Sequence, residues 1–276
     1  MAESKAAPQG KSVTSKVAAI LDAFSAETPR LSLQALTERA GLPQSTTYRL
    51  ASELVEWGGL EHGPGGYQIG LRLWEIGELA RRGEQLRDLA LPFMQDLYDA
   101  TKENIHLAVL DGHEALYIER ITGRRAARVV TRRGGRLPLH ATGVGKALLA
   151  YAPPELVAEV LSKNLKRYTA HTVIAPAQLR RKLTEVRRTG LAFALEEMSL
   201  GTVSVAAPIF SAPETTVAAL AVVVRSSRKD IQRLAPAVRA TANSLSRILR
   251  EQGFEPLSQV PERPRSRVAS SHSMAV

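Results

Sequence analysis

The sequence contains no cysteine among its 276 residues. This absence excludes a disulfide framework, a thiolate nucleophile and the cysteine-containing kinds of zinc site. The six histidines are scattered, and none of them stands four residues from another as in the HxxxH motif of helical zinc sites. We therefore expect neither a metal ion nor another cofactor.

Long apolar runs are also missing. No stretch approaches the roughly 18 consecutive apolar residues typical of a membrane span, and the first residues are polar and charged, unlike those of a signal peptide. These features predict a cytoplasmic protein that has no membrane partner. With 44% hydrophobic residues, the length is sufficient for two domains that each have a core.

Acidic residues are fewer than basic ones, and the formal net charge is +10. Such an excess is typical of proteins that bind nucleic acid. It is unevenly distributed, because residues 1–82 hold nine charges of each sign and the surplus lies downstream. A neutral DNA-binding module neutralises few phosphates and binds weakly by itself. The sequence therefore predicts that DNA binding requires a homodimer or help from the basic C-terminal tail.

A helix, a tight turn, a second helix and a glycine-rich hairpin follow one another between Leu31 and Tyr67. Ser32 can cap the first helix, and Gly41 can end it in a left-handed conformation. Pro43 is expected at the first position of the second helix, which runs to about Trp57. The buried face of that helix is predicted from a spacing of i, i+3, i+4 and i+7: Thr47, Leu50, Ala51 and Leu54. This order predicts a winged helix-turn-helix domain over residues 13–70.

The opposite face of the second helix carries short hydrogen-bonding side chains and one guanidinium. Such side chains suit the base edges and phosphates of a major groove in double-stranded DNA. Together with two residues of the wing they form the predicted DNA-binding set: Gln44, Ser45, Thr46, Tyr48, Arg49, Ser52, Gly65 and Tyr67.

A short amphipathic helix is predicted over residues 71–83, between the two domains. Its apolar face either packs on the neighbouring domain or pairs with the same helix of a second subunit, and we favour the second interpretation. The residues predicted to form this dimer contact are Leu73, Trp74, Ile76, Gly77 and Ala80.

Residues 84–252 alternate between strand and helix patterns, including a hairpin around 111–114 and a final amphipathic helix. This mixture predicts an α+β domain with a mainly antiparallel sheet covered by helices. Residues 253–276 are rich in proline, serine and arginine, so a disordered basic tail is expected there. Disorder is also expected for residues 1–12.

Five segments, in this order, resemble the IclR family of transcriptional regulators: Leu42–Leu50, Leu71–Gly77, Leu137–Ala147, Tyr168–Thr172 and Glu196–Ile209. The resemblance extends from about Thr14 to Gln252. It implies a winged helix-turn-helix domain, a linker helix and a C-terminal GAF-like domain that binds an effector. It also implies dimers formed through the DNA-binding half and, often, a dimer of dimers.

The resemblance further implies where a small-molecule effector binds. The implied contacts are Gly143, Val144, Ala194, Ser204, Ala221 and Val223. A nucleotide-binding P-loop at Gly143 is excluded, because His140 and Ala147 stand where that motif needs glycine and serine or threonine. The backbone N–H groups at a helix start suit a carboxylate. With Ala194, Ala221 and Val223 against its body, we expect a carboxylate of mainly hydrophobic or aromatic character.

The function predicted from these features is a ligand-responsive, sequence-specific DNA-binding regulator, with repression favoured over activation, that controls a catabolic or metabolic operon. One alternative is a hydrolase that uses the α+β domain, but the sequence lacks a GxSxG motif and paired carboxylates. A second alternative is an RNA-binding or architectural protein. Aromatic residues make up only 5% of the chain and do not interleave with the basic segments, which disfavours it.

Overall fold

The computed structural model describes residues 12–123, 127, 129, 131–226 and 228–255. The chain divides into two compact units, and the division falls between Arg81 and Arg82. We call these the first unit and the second unit.

The first unit combines helices with a small sheet. Its elements, in chain order, are α1 (Val13–Leu21), β1 (Arg30–Leu31), α2 (Leu33–Ala40), α3 (Gln44–Glu56), β2 (Leu60–Gly63), β3 (Gly66–Ile69) and α4 (Leu71–Glu78). Helices α1 to α3 and the sheet enclose one core, in which Ile20, Leu36 and Leu50 are buried.

Local sequence signals explain the tight turn between α2 and α3. Ser32 Oγ accepts a hydrogen bond from the Ala35 N–H at 3.2 Å and caps α2 as predicted. Gly41 ends the helix with a φ of 60°, a left-handed conformation in which a Cβ is costly. The expectation for Pro43 is wrong, because its ψ of 143° is extended and α3 begins one residue later. Proline fixes φ but leaves ψ open, so either position satisfies it.

The wing is a three-stranded sheet rather than the expected two strands. Strands β2 and β3 form the predicted antiparallel hairpin, and β1 pairs with the other edge of β3. A two-residue strand is too short to show an alternating pattern, which is why the sequence did not reveal β1. Because of this pairing, β3 is the central strand of the sheet.

The second unit contains a larger sheet and five helices among its described residues. Its elements are α5 (Arg81–Thr101), β4 (Asn104–Asp111), β5 (Glu114–Ile121), β6 (Arg136–Pro138), α6 (Gly143–Ala150), α7 (Pro154–Ser162), α8 (Pro176–Thr189), β7 (Ala192–Leu195), β8 (Thr202–Ala212), β9 (Thr215–Arg225) and α9 (Arg228–Glu251). A single linker helix was expected to extend to residue 83. This expectation is wrong at the C-terminal end, because α4 ends at Glu78 and a new helix, α5, begins at Arg81.

The six strands form one antiparallel sheet in the order β6-β5-β4-β9-β8-β7, which confirms the predicted α+β class. Side chains alternate between its two faces. On β8, Val203 and Val205 join the core formed with α5 and α9, whereas Ala206 joins the core formed with α6, α7 and α8. The short strand β6 was not predicted.

The ordered part of the second unit extends past the expected start of the tail at residue 253. Phe254 is 7% exposed in the core beneath α9, and its N–H donates to the Leu249 carbonyl at 2.9 Å. At the other end, Ser12 caps α1 by accepting from the Ser15 N–H. The expected disorder of 1–12 and 253–276 is therefore wrong at Ser12 and Phe254, and residues 1–11 and 256–276 lie outside the described residues.

Candidate functional site

Helix α3 presents the polar face that the sequence predicted. Its opposite stripe is buried at each predicted position: Thr47, Leu50, Ala51 and Leu54. Five of the candidate DNA-binding residues are exposed: Gln44, Ser45, Tyr48, Arg49 and Ser52. Thr46 is half-buried. The residues therefore form one continuous surface on a single helix.

Arg49 is the one cation on this surface of α3 and forms an ion pair with Glu53. Its Nη1 lies 2.7 Å from Glu53 Oε1, and the two side chains are 60% and 56% exposed. An exposed pair of this kind contributes only about 0–1 kcal/mol. The guanidinium can therefore leave Glu53 for a base or phosphate at little cost.

The two candidate DNA-binding residues of the wing differ in exposure. Gly65 is exposed at the turn between β2 and β3. Tyr67 is only 5% exposed, and its ring packs 4.6 Å from the ring of His62. Burial raises the pKa of Tyr67 above its usual value. The prediction that Tyr67 binds DNA is therefore corrected: as part of the central strand, its side chain belongs to the core.

Arg30 is a candidate DNA contact that the sequence analysis missed. It is exposed on β1, and its Nε donates to Gln68 Oε1 at 2.7 Å. Gln68 in turn donates to Glu61 Oε2 at 2.6 Å. In the sequence Arg30 stands far from the wing, and only the pairing of β1 with β3 places it there.

Helix α4 exposes several large apolar side chains. Trp74 is 62% exposed and Ile76 is 42% exposed, in agreement with an unpartnered face. Gly77 and Ala80 are also exposed, whereas Leu73 is half-buried. Two further exposed residues were absent from the predicted set: Leu71 at 69% and Leu79 at 74%. The apolar surface is therefore larger than the sequence indicated.

The second unit contains a cavity of about 470 Å³, including its open mouth. All six residues implied as effector contacts line it: Gly143, Val144, Ala194, Ser204, Ala221 and Val223. They come from α6, β7, β8 and β9, which meet on one face of the sheet.

One wall of the cavity is the start of α6. Thr142 caps this helix by accepting from the Gly145 N–H at 3.1 Å. The N–H groups of Gly143 and Val144 have no partner within the helix, because they belong to its first turn. A Cβ at position 143 would lie 2.7 Å from Ser204 Oγ, so a larger residue there would displace this hydroxyl. The wall can therefore hold an anion between backbone N–H groups and a hydroxyl.

Lys146 follows on the same helix and forms a buried ion pair that was not predicted. Its Nζ donates to Glu197 Oε1 at 2.5 Å and to the Phe193 carbonyl at 2.9 Å, and both charged side chains are at most 3% exposed. Burial lowers the pKa of Lys146 to about 8, while Glu197 opposes the shift. Because the ammonium group of Lys146 is paired inside the protein, it is not available to a phosphate. This agrees with the exclusion of a P-loop.

The cavity also has a polar wall that sequence reasoning missed. His106 on β4 is 2% exposed, and its Nε2 lies 3.0 Å from Thr131 Oγ1. Burial lowers the pKa of His106 to about 3, and nearby Arg120 adds to the shift. Tyr117 and Glu197 also line this space. Most of the lining is apolar as expected, and these polar groups from β4, β5 and the loop after β7 add to it. His106 lies beside Ala221 on the neighbouring strand.

Comparison with known proteins agrees with this arrangement. Residues 13–64 match the IclR helix-turn-helix domain, and residues 80–247 match the C-terminal domain of bacterial IclR transcriptional regulators. The chain belongs to the IclR family.

Individual IclR-family members are similar over most of their length. The transcriptional regulator XynR of Escherichia coli is 33% identical over 78% of this chain and 87% of its own. The transcriptional repressor IclR of the same organism is 33% identical over 70% of this chain and 72% of its own. These relatives are DNA-binding regulators rather than enzymes, which disfavours the hydrolase alternative.

A solved IclR-family structure supports the fold. The IclR homologue of Microbacterium hydrocarbonoxydans, in complex with 4-hydroxybenzoate, is 34% identical, with a TM-score of 0.82 over 87% of this chain and all of that one. As an IclR-family regulator, the chain binds DNA through the helix-turn-helix of its first unit. None of its described helices has the length and apolar content needed to cross a membrane.

Proposed function

We propose that this IclR-family chain is a ligand-responsive repressor that binds a specific operator in double-stranded DNA and controls a catabolic or metabolic operon. Its effector is a small carboxylate with a mainly hydrophobic or aromatic body. The observation that carries the proposal is the cavity, in which the start of α6 lies beside small apolar side chains.

The anion end of the effector lies at Gly143 and Val144, where Ser204 Oγ adds a hydrogen bond. Its body lies against Ala194, Ala221 and Val223. Each buried methylene contributes about 0.8 kcal/mol there, whereas a short polar acid leaves its polar groups unpaired against these side chains. The Microbacterium homologue in complex with 4-hydroxybenzoate supports an aromatic acid.

The DNA-binding form is a homodimer or a dimer of dimers. Residues 1–82 are formally neutral, so a single copy neutralises few phosphates. The exposed apolar side chains of α4 supply a surface for a second copy, with Trp74 and Ile76 among them. Isolated exposed apolar residues are common, but a clustered set marks an interaction surface.

The test combines thermal shift with gel shift on operator fragments, across aliphatic, aromatic and short polar acids. We expect aromatic or longer aliphatic acids to raise the melting temperature and to alter the retardation of DNA. If glyoxylate or pyruvate alone does both, the proposed effector class is wrong. Retardation that is equal for all DNA sequences would contradict an operator-specific repressor.

Two substitutions locate the effector in the cavity. Ala221→Leu fills the space and should block effector binding while the ligand-free protein still binds DNA. Ser204→Ala removes one hydroxyl and should weaken binding by about 3- to 10-fold, since a net hydrogen bond contributes about 1 kcal/mol. Ala240→Leu on the exposed side of α9 is the matched control and should bind as the wild type does.

A further inference from the structure

Helix α8 and the loop before it carry much of the positive charge of the second unit. Residues 163–188 hold eight lysines and arginines but a single acid, Glu185, and so account for seven of the ten net positive charges of the chain. Half of these basic residues are exposed arginines of α8: Arg180, Arg181, Arg187 and Arg188. We call these four arginines the basic surface.

The four arginines share one side of the helix. The buried stripe of α8 consists of Leu179, Leu183 and Val186. At 3.6 residues per turn, positions 180, 181, 187 and 188 lie outside this stripe and within about one third of the helix circumference. They form two pairs that are seven residues, or about 10 Å, apart along the axis. The basic surface therefore presents a compact group of guanidinium groups to solvent.

The charges of the basic surface are not neutralised by neighbouring acids. Apart from Arg187, which donates through Nε to the Ala150 carbonyl, its side chains have no hydrogen-bond or ion-pair partner among the described residues. In the first unit, by contrast, Arg49 and Arg72 each pair with an acid one turn along their own helix. The positive potential over α8 is therefore uncompensated.

The helix dipole explains only one of the two pairs of arginines. Arg187 and Arg188 lie in the last turn of α8, where a cation is favourable. Arg180 and Arg181 lie in the N-terminal half of the helix, where the dipole offers a cation no stabilisation, and the first turn contains no acid. The stability of α8 therefore does not account for this pair, which is free for an outside partner.

The chemistry of the basic surface fits a phosphate backbone. Residues 163–188, all of which the structure describes, expose no large apolar side chain. The apolar and aromatic anchors at the centre of protein–protein interfaces are therefore missing. Guanidinium groups bind phosphate oxygens through paired hydrogen bonds. The chain binds DNA through its first unit, yet residues 1–82 are formally neutral, so further phosphate contacts must come from elsewhere.

We propose that the basic surface of α8 binds the phosphate backbone of double-stranded DNA that flanks the operator. This inference rests on the proposed operator binding and adds a contact outside the helix-turn-helix. None of the four arginines lines the cavity, so the contact is separate from the effector site. A contact of this kind adds affinity but no sequence preference.

The experiment measures DNA affinity over a salt series for the full-length wild type and for Arg180→Gln/Arg181→Gln/Arg188→Gln. One probe is an operator fragment with flanking DNA on both sides, and the other is the same fragment trimmed to the base pairs whose substitution changes affinity. Each lost phosphate contact lowers the slope of log K against log salt by about 0.9.

On the flanked fragment, we expect the slope of the variant to fall by about two to three and its affinity at physiological salt to fall about tenfold or more. On the trimmed fragment it should bind as the wild type does. Its preference for the operator over other sequences should be unchanged, because backbone contacts carry no sequence information.

Two further variants control for total charge and for folding. Arg233→Gln/Arg239→Gln/Arg247→Gln removes the same charge from exposed positions of α9, which packs on the opposite face of the sheet, and should leave the slope near that of the wild type. Arg180→Lys/Arg181→Lys/Arg188→Lys keeps the charge at the basic surface and should retain the wild-type slope.

The outcomes separate this inference from the proposed function. Equal slopes for the wild type and the α8 glutamine variant overturn the inference, favour an acidic protein as the partner of this surface and leave operator binding intact. An equal loss in the α9 control also overturns it, because total charge then sets the slope. A wild type without any sequence preference overturns the proposed repressor, and the slopes of wild type and variant on mixed-sequence DNA then test the basic surface by itself.

Discussion

The two units differ in which residues break the usual rule that apolar side chains are buried and polar side chains are exposed. Of the nine large hydrophobic residues exposed in the described part of the chain, eight belong to the first unit: Val13, Tyr48, Trp57, Ile69, Leu71, Trp74, Ile76 and Leu79. Of the eleven buried polar or charged residues, ten belong to the second unit, with Thr47 as the exception.

This difference agrees with the partners proposed for each unit. Clustered apolar side chains on a surface mark an interaction site. Of the buried polar side chains, some bond to the protein itself, as Thr172 does, and others line the cavity, as His106 and Ser204 do. We therefore expect the first unit to act through contacts on its surface and the second through contacts in its cavity as well as on its basic surface. Substitutions should reveal the difference as losses of assembly in one unit and of ligand selectivity in the other.

The largest expected effect is that of Ile76→Asp in the first unit. A charge in a subunit contact loses its hydration without gaining a partner, so we expect the dimer to dissociate and operator binding to fall below detection. Sedimentation and gel shift measure the two effects, while thermal shift with a bound acid shows that the second unit stays folded. Glu75→Gln, on the same exposed helix, is the control and should remain dimeric.

A wild-type monomer that binds its operator tightly would contradict this prediction. It would also contradict the difference inferred between the two units, because the exposed apolar residues of α4 would then have no binding role.

A smaller effect is expected from Arg49→Ala. If Arg49 reads a base, specific binding weakens by about 1–3 kcal/mol, or roughly 5- to 150-fold, and the preference at one position is relaxed. If it contacts a phosphate, the loss is uniform across sequences and the salt slope falls by about one. Binding assays over a salt series distinguish the two results.

Glu53→Ala serves as the opposite-charge control for Arg49. It removes the acid that pairs with Arg49 and should leave operator binding unchanged or tighter at low salt. Wild-type affinity in Arg49→Ala at physiological salt would exclude both roles.

The smallest effect is expected inside the second unit, from His106→Asn. Because burial lowers the pKa of His106 from its usual value of 6.5 to about 3, the unfolded chain takes up a proton between these values that the folded chain does not. The free energy of unfolding therefore falls as the pH drops from 6.5 towards 3. Denaturant unfolding at about pH 7 and pH 5 should show a smaller fall in His106→Asn.

His171→Asn tests whether that result is specific to the buried position. The side chain of His171 is 55% exposed, so the same substitution there leaves the buried surroundings of His106 unchanged. An unchanged pH dependence in His106→Asn would mean that another group controls stability in this range.

The DNA-reading helix was predictable because its information lies within one element. Helical spacing alone separated the buried side of α3, with Leu50 and Leu54, from the exposed side with Arg49. Tyr67 was misassigned because its environment depends on β1, a strand of two residues that begins 37 positions earlier. Pairing between distant segments leaves no local periodicity to read.

The cavity was predictable only in part, and the reason is similar. Its six implied residues came from family resemblance, and they line one space. Lys146 and Glu197 lie 51 residues apart and form a pair only when α6 packs over the end of β7. No spacing rule relates such residues, so this buried ion pair was not found from the sequence.

Thr172 shows how little chemical variation one position in this fold tolerates. Its hydroxyl accepts the N–H groups of Tyr168 and Thr169 at 3.0 and 2.8 Å, and it donates to the Glu197 carbonyl at 2.7 Å. One oxygen therefore joins two loops through three hydrogen bonds. Serine retains all of them, whereas valine has the same shape but none of the bonds, so a library of variants at this position should contain folded proteins with threonine or serine and few others.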